Sequence, residues 1–311
     1  EYESLSIRKI SDHTRAFLKV QDGCNQFCSY CIIPYTRGRV RSRRPEDVEE
    51  EVRTLAEKGY QEIVLTGIHL SSYGTDFKEE PQDLLELTKR LHQIPGVKRI
   101  RFGSLEPRLI TEEFVRELSA MEKICPHFHL SLQSGCDATL KRMNRHYTCE
   151  DYLYRCGILR KYFRDPAITT DVIVGFPGET DEEFAETKKF LETVHFYEMH
   201  VFKYSRRAGT RADRMPDQVP EPVKTKRSAE LLALEKEMSK AYRASFLGRE
   251  TEVLMEEPVE IGGARYMVGH TKEYVKAAVP EAGGKNCFVR GVLKEFLTDE
   301  IIYLAENPDL G

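Results

Sequence analysis

From Arg15 to about Tyr204, short apolar, β-branched runs alternate with stretches whose apolar residues recur at helical spacing, the pattern of repeated βα units and a parallel sheet. The runs predict six strands, at 16–20, 62–67, 99–104, 128–132, 168–175 and 199–204. Pro45 opens the first long helical pattern, with Glu46 and Asp47 in its first turn, Val48, Val52, Leu55 and Ala56 on one face, and Gly59 beyond its end. Further helical patterns cover 82–93, 111–121, 150–163 and 181–194. A complete eight-fold barrel needs about 250 residues, more than this segment holds, so the pattern predicts an open, partial barrel or a doubly wound sheet. In either, ligands gather at the C-terminal ends of the strands.

The pattern then changes. Pro216, Pro220 and Pro222 mark a linker, and a charged amphipathic helix at about 224–247 stops at Gly248. Short alternating runs follow at 251–255, 266–270, 274–279, 287–296 and 300–304, broken by Gly262-Gly263 and Gly283-Gly284, which predict a small all-β barrel. The expected organisation is a connector at 1–14, an α/β domain at 15–215, a linker and helix at 216–247, and the β domain at 248–311.

Composition narrows the partners. The 15 Phe and 15 Tyr exclude a disordered chain, and the sequence holds no apolar run approaching the ~18 residues of a membrane span. The net charge of −4 gives no overall attraction to polyanions, so any nucleic-acid contact must rest on local basic patches. Eight cysteines are present, three of them (Cys24, Cys28 and Cys31) within eight residues. This is not a secreted disulfide framework, and a reducing cytoplasm is expected.

Cys24, Cys28 and Cys31 form a C-x3-C-x2-C triplet in the loop directly after the first strand. Three thiols in so short a loop cannot all pair as disulfides, and their density points to a metal. A structural zinc needs a fourth ligand, and no Cys or His follows at comparable spacing. A four-iron, four-sulfur cluster on three cysteines would leave one iron open to a ligand.

With an aromatic, Tyr30, before the last Cys, the triplet resembles the signature of radical S-adenosylmethionine (SAM) enzymes. The chain is similar over most of its length to their methylthiotransferase branch: in 17–25 and 32–43, in Leu65-Thr66-Gly67-Ile68-His69-Leu70-Ser71-Ser72-Tyr73-Gly74, in Leu130-Ser131-Leu132-Gln133-Ser134-Gly135, in Gly175-Phe176-Pro177-Gly178-Glu179-Thr180, and in Phe202-Lys203-Tyr204-Ser205. The resemblance implies a partial (β/α)6 radical SAM barrel followed by a TRAM domain, a small RNA-binding barrel. It implies a [4Fe-4S] cluster on Cys24, Cys28 and Cys31 that binds SAM through its open iron and cleaves it, with electrons from an external donor, to a 5′-deoxyadenosyl radical. It assigns SAM contacts to Thr66 and Gly67 at the second strand end and to Ile173 and Gly175 beside the adenine; by residue type and place, Gln133, Ser134 and Gly135 after the fourth strand suit ribose or carboxylate contacts, Tyr30 suits packing on SAM or shielding the cluster, and Phe202 and Tyr204 suit lining the adenine. Taken alone, these positions are equally explained as strand-to-helix turns, a helix cap and core packing.

Arg37, Arg39, Arg41, Arg43 and Arg44 lie within eight residues with no acid among them, at the expected mouth of the site, and suit RNA phosphates. Lys203, Arg206, Arg207, Arg211 and Arg214 make a second basic stretch. From Phe246 onward 7 Lys and Arg stand against 12 Asp and Glu, so RNA binding there would need one face, with Arg265, Lys272, Lys276 and Tyr274 as candidates. The other five cysteines read as buried small hydrophobes.

The resemblance places a second, auxiliary cluster on a separate N-terminal domain absent from this sequence, to which residues 1–14 would connect. Its details match best the branch that adds a methylthio group to carbon 2 of N6-threonylcarbamoyladenosine at tRNA position 37, in the anticodon loop. Isopentenyladenosine is the rival substrate, and an RNA-binding module with a structural zinc the rival class.

Overall fold

The computed structural model describes residues 14–78, 82–281 and 284–306; the expected connector, apart from Thr14, and Gly283 lie outside the described residues. The strands of the larger body are β1 (Arg15–Asp22), β2 (Arg41–Ser42), β3 (Glu62–Gly67), β4 (Arg99–Phe102), β5 (His127–His129), β6 (Ala167–Val174) and β7 (Glu198–Lys203). Its helices are α1 (Ile33–Thr36), α2 (Pro45–Glu57), α3 (Leu84–His92), α4 (Glu112–Ser119), α5 (Asp137–Arg142), α6 (Cys149–Tyr162) and α7 (Asp181–Val194), followed by α8 (Glu221–Ala244).

The strands β1, β3 and β4 pair in parallel, as do β5, β6 and β7. The two sheets join through the Leu105↔Leu130 bridge and the Cys125 N–H, which donates to the Ile100 carbonyl at 2.9 Å. All six expected strands are therefore present in sequence order as an open, curved half-barrel. The fourth is shorter than its apolar run suggests, because beyond His129 the chain makes only single bridges. The short β2, unforeseen, returns antiparallel to β1.

Alternation explains the layers. Ala16, Leu18 and Val20 of β1 are buried with Val48, Val52 and Leu55 of α2 and Leu84, Leu87 and Leu91 of α3, on the convex side. The intervening residues face the concave side, where Phe17 is 55% exposed. Capping boxes start α6 (Thr148 with Asp151) and α7 (Thr180 with Glu183), each supplying partners to N–H groups that the helix leaves free. The proline-rich segment contributes to α8: Pro220 is its N-cap and Pro222 sits in its first turn, where no N–H is required.

The strands β8 (Glu250–Ile261), β9 (Ala264–His270), β10 (Lys276–Pro280), β11 (Phe288–Phe296) and β12 (Ile301–Glu306) close into a barrel in the order β10-β12-β11-β8-β9. Its core includes Val253, Met255, Val275, Leu293, Ile302 and Leu304, with Phe246 from beyond the end of α8.

This barrel docks on the N-terminal ends of the parallel strands. Glu62, fully buried, accepts from Arg101 Nε at 2.9 Å and lies 3.2 Å from Arg15 Nε and 3.8 Å from Arg99 Nη1. Arg99 donates to the His270 and Glu252 carbonyls at 2.9 and 2.8 Å, Arg101 to the Lys272 carbonyl at 3.1 Å, and Arg15 pairs with Glu256. Burial opposes the charge on Glu62, but Arg101, Arg15 and Arg99 hold its carboxyl below the usual range. Tyr274 is stacked between His127 (4.8 Å between ring centroids) and His270 (4.3 Å), with the Arg15 and Arg101 guanidinium groups over its ring. Tyr274 is thus committed to this contact, which removes it from the RNA-facing candidates, while Lys272 donates to the Glu122 carbonyl at 2.6 Å.

Candidate functional site

The cysteine loop leaves β1 at Gly23, whose φ is +71°. A β-carbon there would stand 1.9 Å from the Arg39 carbonyl oxygen, so the crossing of the loop with the chain entering β2 requires glycine. Cys24 N–H donates to Gly38 O at 3.1 Å on one side. On the other, Ser29 N–H donates to Met143 O at 3.0 Å, Ser29 Oγ to Arg142 O at 2.8 Å, and Asn144 Nδ2 to Phe27 O at 3.0 Å. The loop is clamped between these segments.

Cys24, Cys28, Tyr30 and Cys31 line a cavity of about 240 Å³ at the C-terminal ends of the strands, together with Ile68, His69, Ser104, Glu106, Ser131, Arg145 and Asp171. Arg145 Nη1 lies 3.2 Å from Cys28 Sγ, while its Nε donates to Tyr147 Oη at 2.9 Å. Burial opposes the charge of Arg145, but Tyr147, Tyr30 and Cys28 hold its pKa above the ordinary value. Burial also pushes the Cys24 and Cys31 thiols up, with neighbouring thiols adding to the effect and Arg145 pulling against it. A group that binds these sulfurs as thiolates must overcome that cost, and a metal centre does so.

The cysteines fit a cluster better than one ion. Tetrahedral zinc holds thiolates at about 2.3 Å, and hence within about 4 Å of each other. Among the described residues, the trio of Cys, His and carboxylate ligand atoms within 4.8 Å of one another is His129, Asp171 and His200; the three sulfurs are spread more widely. Cys24, Cys28 and Cys31 are the residues that would hold a [4Fe-4S] cluster.

The other expected site residues divide. Tyr30 reaches the cavity and meets Phe176 edge-on, and Ile173 and Tyr204 belong to the same apolar cluster behind it. Thr66 Oγ1 donates to the Leu18 carbonyl at 3.0 Å, and Gly67 gives clearance to Gln21, which lies 2.9 Å from where a β-carbon would stand. Gln133, at φ +75°, bridges β6 through its backbone. Gly175, at φ +70°, donates its N–H to Glu179 at 2.8 Å and lies against Lys224. Phe202 is 53% exposed on β7. Ser134 and Gly135 face elsewhere: Ser134 Oγ engages Thr187 Oγ1 and Cys136 N, and a β-carbon on Gly135 would meet Phe190 and Thr187 of α7 at 2.9 to 3.0 Å. Their small size serves helix packing.

The arginine run also divides. Arg43 turns inward to Glu51 at 2.6 Å and is buried, so it is not a phosphate contact. Arg37 and Arg44 are exposed, Arg39 lies over the Phe27 ring at 4.9 Å, and Arg41 spans the Arg37 carbonyl (2.8 Å) and Asp22 (3.5 Å).

Arg145, His69, Glu106 and Asp171 were not singled out from sequence. Burial holds His69 neutral, with its pKa lowered to about 4; its Nδ1 lies 2.6 Å from Ser72 Oγ, and its buried Nε2 has no partner among the described residues. The signal for His69 was its place two residues past a strand end. Arg145 carried none, being one arginine among many.

The half-barrel, with three thiols at the C-terminal end of β1, defines the class, and a family model for the radical SAM superfamily matches residues 18–191. The chain belongs to that superfamily. It is 46% identical over 277 residues to the threonylcarbamoyladenosine tRNA methylthiotransferase MtaB of Bacillus subtilis (strain 168), covering 88% of this chain and 61% of that protein. It is 44% identical over 254 residues to a tRNA-2-methylthio-N(6)-dimethylallyladenosine synthase of Acetivibrio thermocellus, covering 82% of this chain and 52% of that one. The chain therefore spans only half to three-fifths of these relatives. Among solved structures, coproporphyrinogen III oxidase (HemN) of Escherichia coli aligns with a TM-score of 0.52 at 16% identity over 84% of this chain and 67% of its own, a likeness of fold. Among the described residues, no helix is long and apolar enough to cross a membrane.

Proposed function

We propose that this chain is the catalytic core of a cytoplasmic radical SAM methylthiotransferase that modifies carbon 2 of N6-threonylcarbamoyladenosine at tRNA position 37. The observation that carries the reading is the triplet of thiols on one cavity beside a half-buried arginine, in a chain 46% identical to an enzyme named for that reaction. When bound, a [4Fe-4S] cluster with SAM supplies reductive cleavage to a radical able to abstract hydrogen from an unactivated carbon. Arg145 offsets negative charge at Cys28, and Tyr30, Ile33 and Leu105 wall the cavity against water. Neutral His69 offers an unspent ring nitrogen to a bound group. Thr66, Gly67, Gln133, Ile173, Gly175, Phe202 and Tyr204 remain the proposed SAM-binding positions. Arg37, Arg39, Arg41 and Arg44 are the proposed phosphate contacts with the anticodon stem-loop. The reading includes an external electron donor and an auxiliary cluster carried outside this chain.

The test is nucleoside analysis of tRNA from a strain lacking the gene. Loss of 2-methylthio-N6-threonylcarbamoyladenosine is expected, and its persistence overturns the choice of substrate. Loss of the methylthio-dimethylallyl nucleoside instead would establish the second reading, which the 44% identical relative favours.

A further inference from the structure

Beside the cavity, three polar side chains from three adjacent strands converge. In the sheet register His129 of β5 lies opposite Thr169, and Asp171, two residues further along β6, lies opposite His200 of β7. Two-residue spacing keeps His129, Asp171 and His200 on one face. Their ligand atoms all lie within 4.8 Å of one another.

The spacing suits an ion better than a direct bond. His129 Nε2 stands 3.3 Å from Asp171 Oδ2, longer than the ~2.8 Å of a good charge-assisted hydrogen bond. Two ligand atoms each about 2.05 Å from a tetrahedral ion are about 3.3 Å apart. The other nitrogen of His129, Nδ1, lies 3.0 Å from Thr169 Oγ1, which fixes the ring with Nε2 toward Asp171, the outer support that metal-bound histidines have. The His200 ring lies 5.8 Å from that of His129, and His200 is exposed, which leaves a path of entry. Asp171 also borders the cysteine-lined cavity.

We propose that His129, Asp171 and His200 bind a divalent first-row transition-metal ion of the zinc, cobalt or nickel class, with an open coordination position toward the cavity. Two imidazoles and one carboxylate select these ions over magnesium or calcium, which take oxygen ligands. The proposal does not depend on which nucleoside is the substrate, so either reading can fail without the other.

The experiment titrates Co2+ alone, anaerobically, into the full chain carrying C24A, C28A and C31A, so that the triplet cannot compete. One ion per chain is expected, with visible ligand-field bands and no thiolate charge-transfer band. His129→Ala, His200→Ala and Asp171→Asn should abolish binding, and Thr169→Val should weaken it by about 10- to 100-fold. Absence of cobalt binding, a thiolate spectrum, or affinity unchanged by His129→Ala and His200→Ala overturns the proposal. Should the triple variant not fold, the cluster-loaded chain is exposed to Zn2+ and gel-filtered: one zinc beyond the iron, lost in His129→Ala and His200→Ala, supports the site, and equal zinc in all three proteins refutes it.

Discussion

The two ends of the parallel sheet both gather arginines, and they use them in opposite ways. At the N-terminal ends Arg15, Arg99 and Arg101 converge on one buried glutamate, and further contacts of theirs reach the small barrel's carbonyls, Glu256 and Tyr274. At the C-terminal ends Arg145 faces a thiol, and His69 keeps a ring nitrogen unpartnered among the described residues. The lower end uses its charge to hold two bodies together; the upper end keeps it available for what binds. The contrast follows a general division of half-barrels and barrels, in which the face at the strands' C-terminal ends does chemistry and the opposite face gives stability.

Substitutions at each end should therefore fail in different assays. The largest effect belongs to the upper end: Cys28→Ala should reduce iron after anaerobic reconstitution from about four per chain to background and abolish reductive SAM cleavage, with little change in thermal unfolding. Retained cleavage would refute the role of the triplet. At the lower end, Glu62→Ala leaves the buried Arg99 and Arg101 without their shared carboxylate and should cost about 3 to 5 kcal/mol in chemical denaturation. A loss below about 1 kcal/mol would mean the network is not what holds the barrel.

Acid offers a graded version of the same contrast. Burial, reinforced by Arg101, holds His127 well below its ordinary value, and burial holds His69 at about 4. The unfolded chain takes up these protons near pH 6.5 while the folded chain refuses them. Stability should therefore be complete above about pH 6.5 and fall as pH drops toward 4. The depressed carboxyl of Glu62 adds a loss of the same sign below its ordinary 4.5. His127→Phe should flatten the slope between about pH 6.5 and 5; an unchanged slope would place the titration elsewhere. The smallest effect is at the rim: replacing Arg37, Arg39 and Arg41 with Ser should leave stability unaltered and lower the salt dependence of tRNA binding by about 0.7 to 0.9 for each phosphate no longer neutralised, read from log affinity against log salt. Deleting the small barrel is a poor substitute for this test, because it would strip Glu252, Glu256, His270 and Tyr274 from the sheet floor.

Local pattern was enough to locate all six parallel strands, the cysteine loop and the closed β body, because each rests on alternation, turn residues or spacing within a few positions. The lower end was illegible for a definite reason. Arg15, Glu62, Arg99 and Arg101 are polar residues at strand starts, and such residues read as solvated until a segment some 150 to 260 positions away covers them. The same distance hid the commitment of Tyr274, which reads as an available aromatic. Ser134 and Gly135 illustrate the converse: a small polar pair at a strand end suits a ligand and an adjacent helix equally, and only the position of Phe190 decides. Arg43 was indistinguishable from its neighbours until the turn into α2 carried it toward Glu51.

Gly23 has a consequence for inheritance. Gly59 and Gly248 also have positive φ, but nothing stands within 4 Å of where their β-carbons would lie, so in a library of all replacements they should accept asparagine and several others at modest loss. At position 23 an oxygen of the backbone itself occupies that place, and no choice of side chain can move it aside. Every replacement there should read as a null allele, although the residue is not among those lining the cavity.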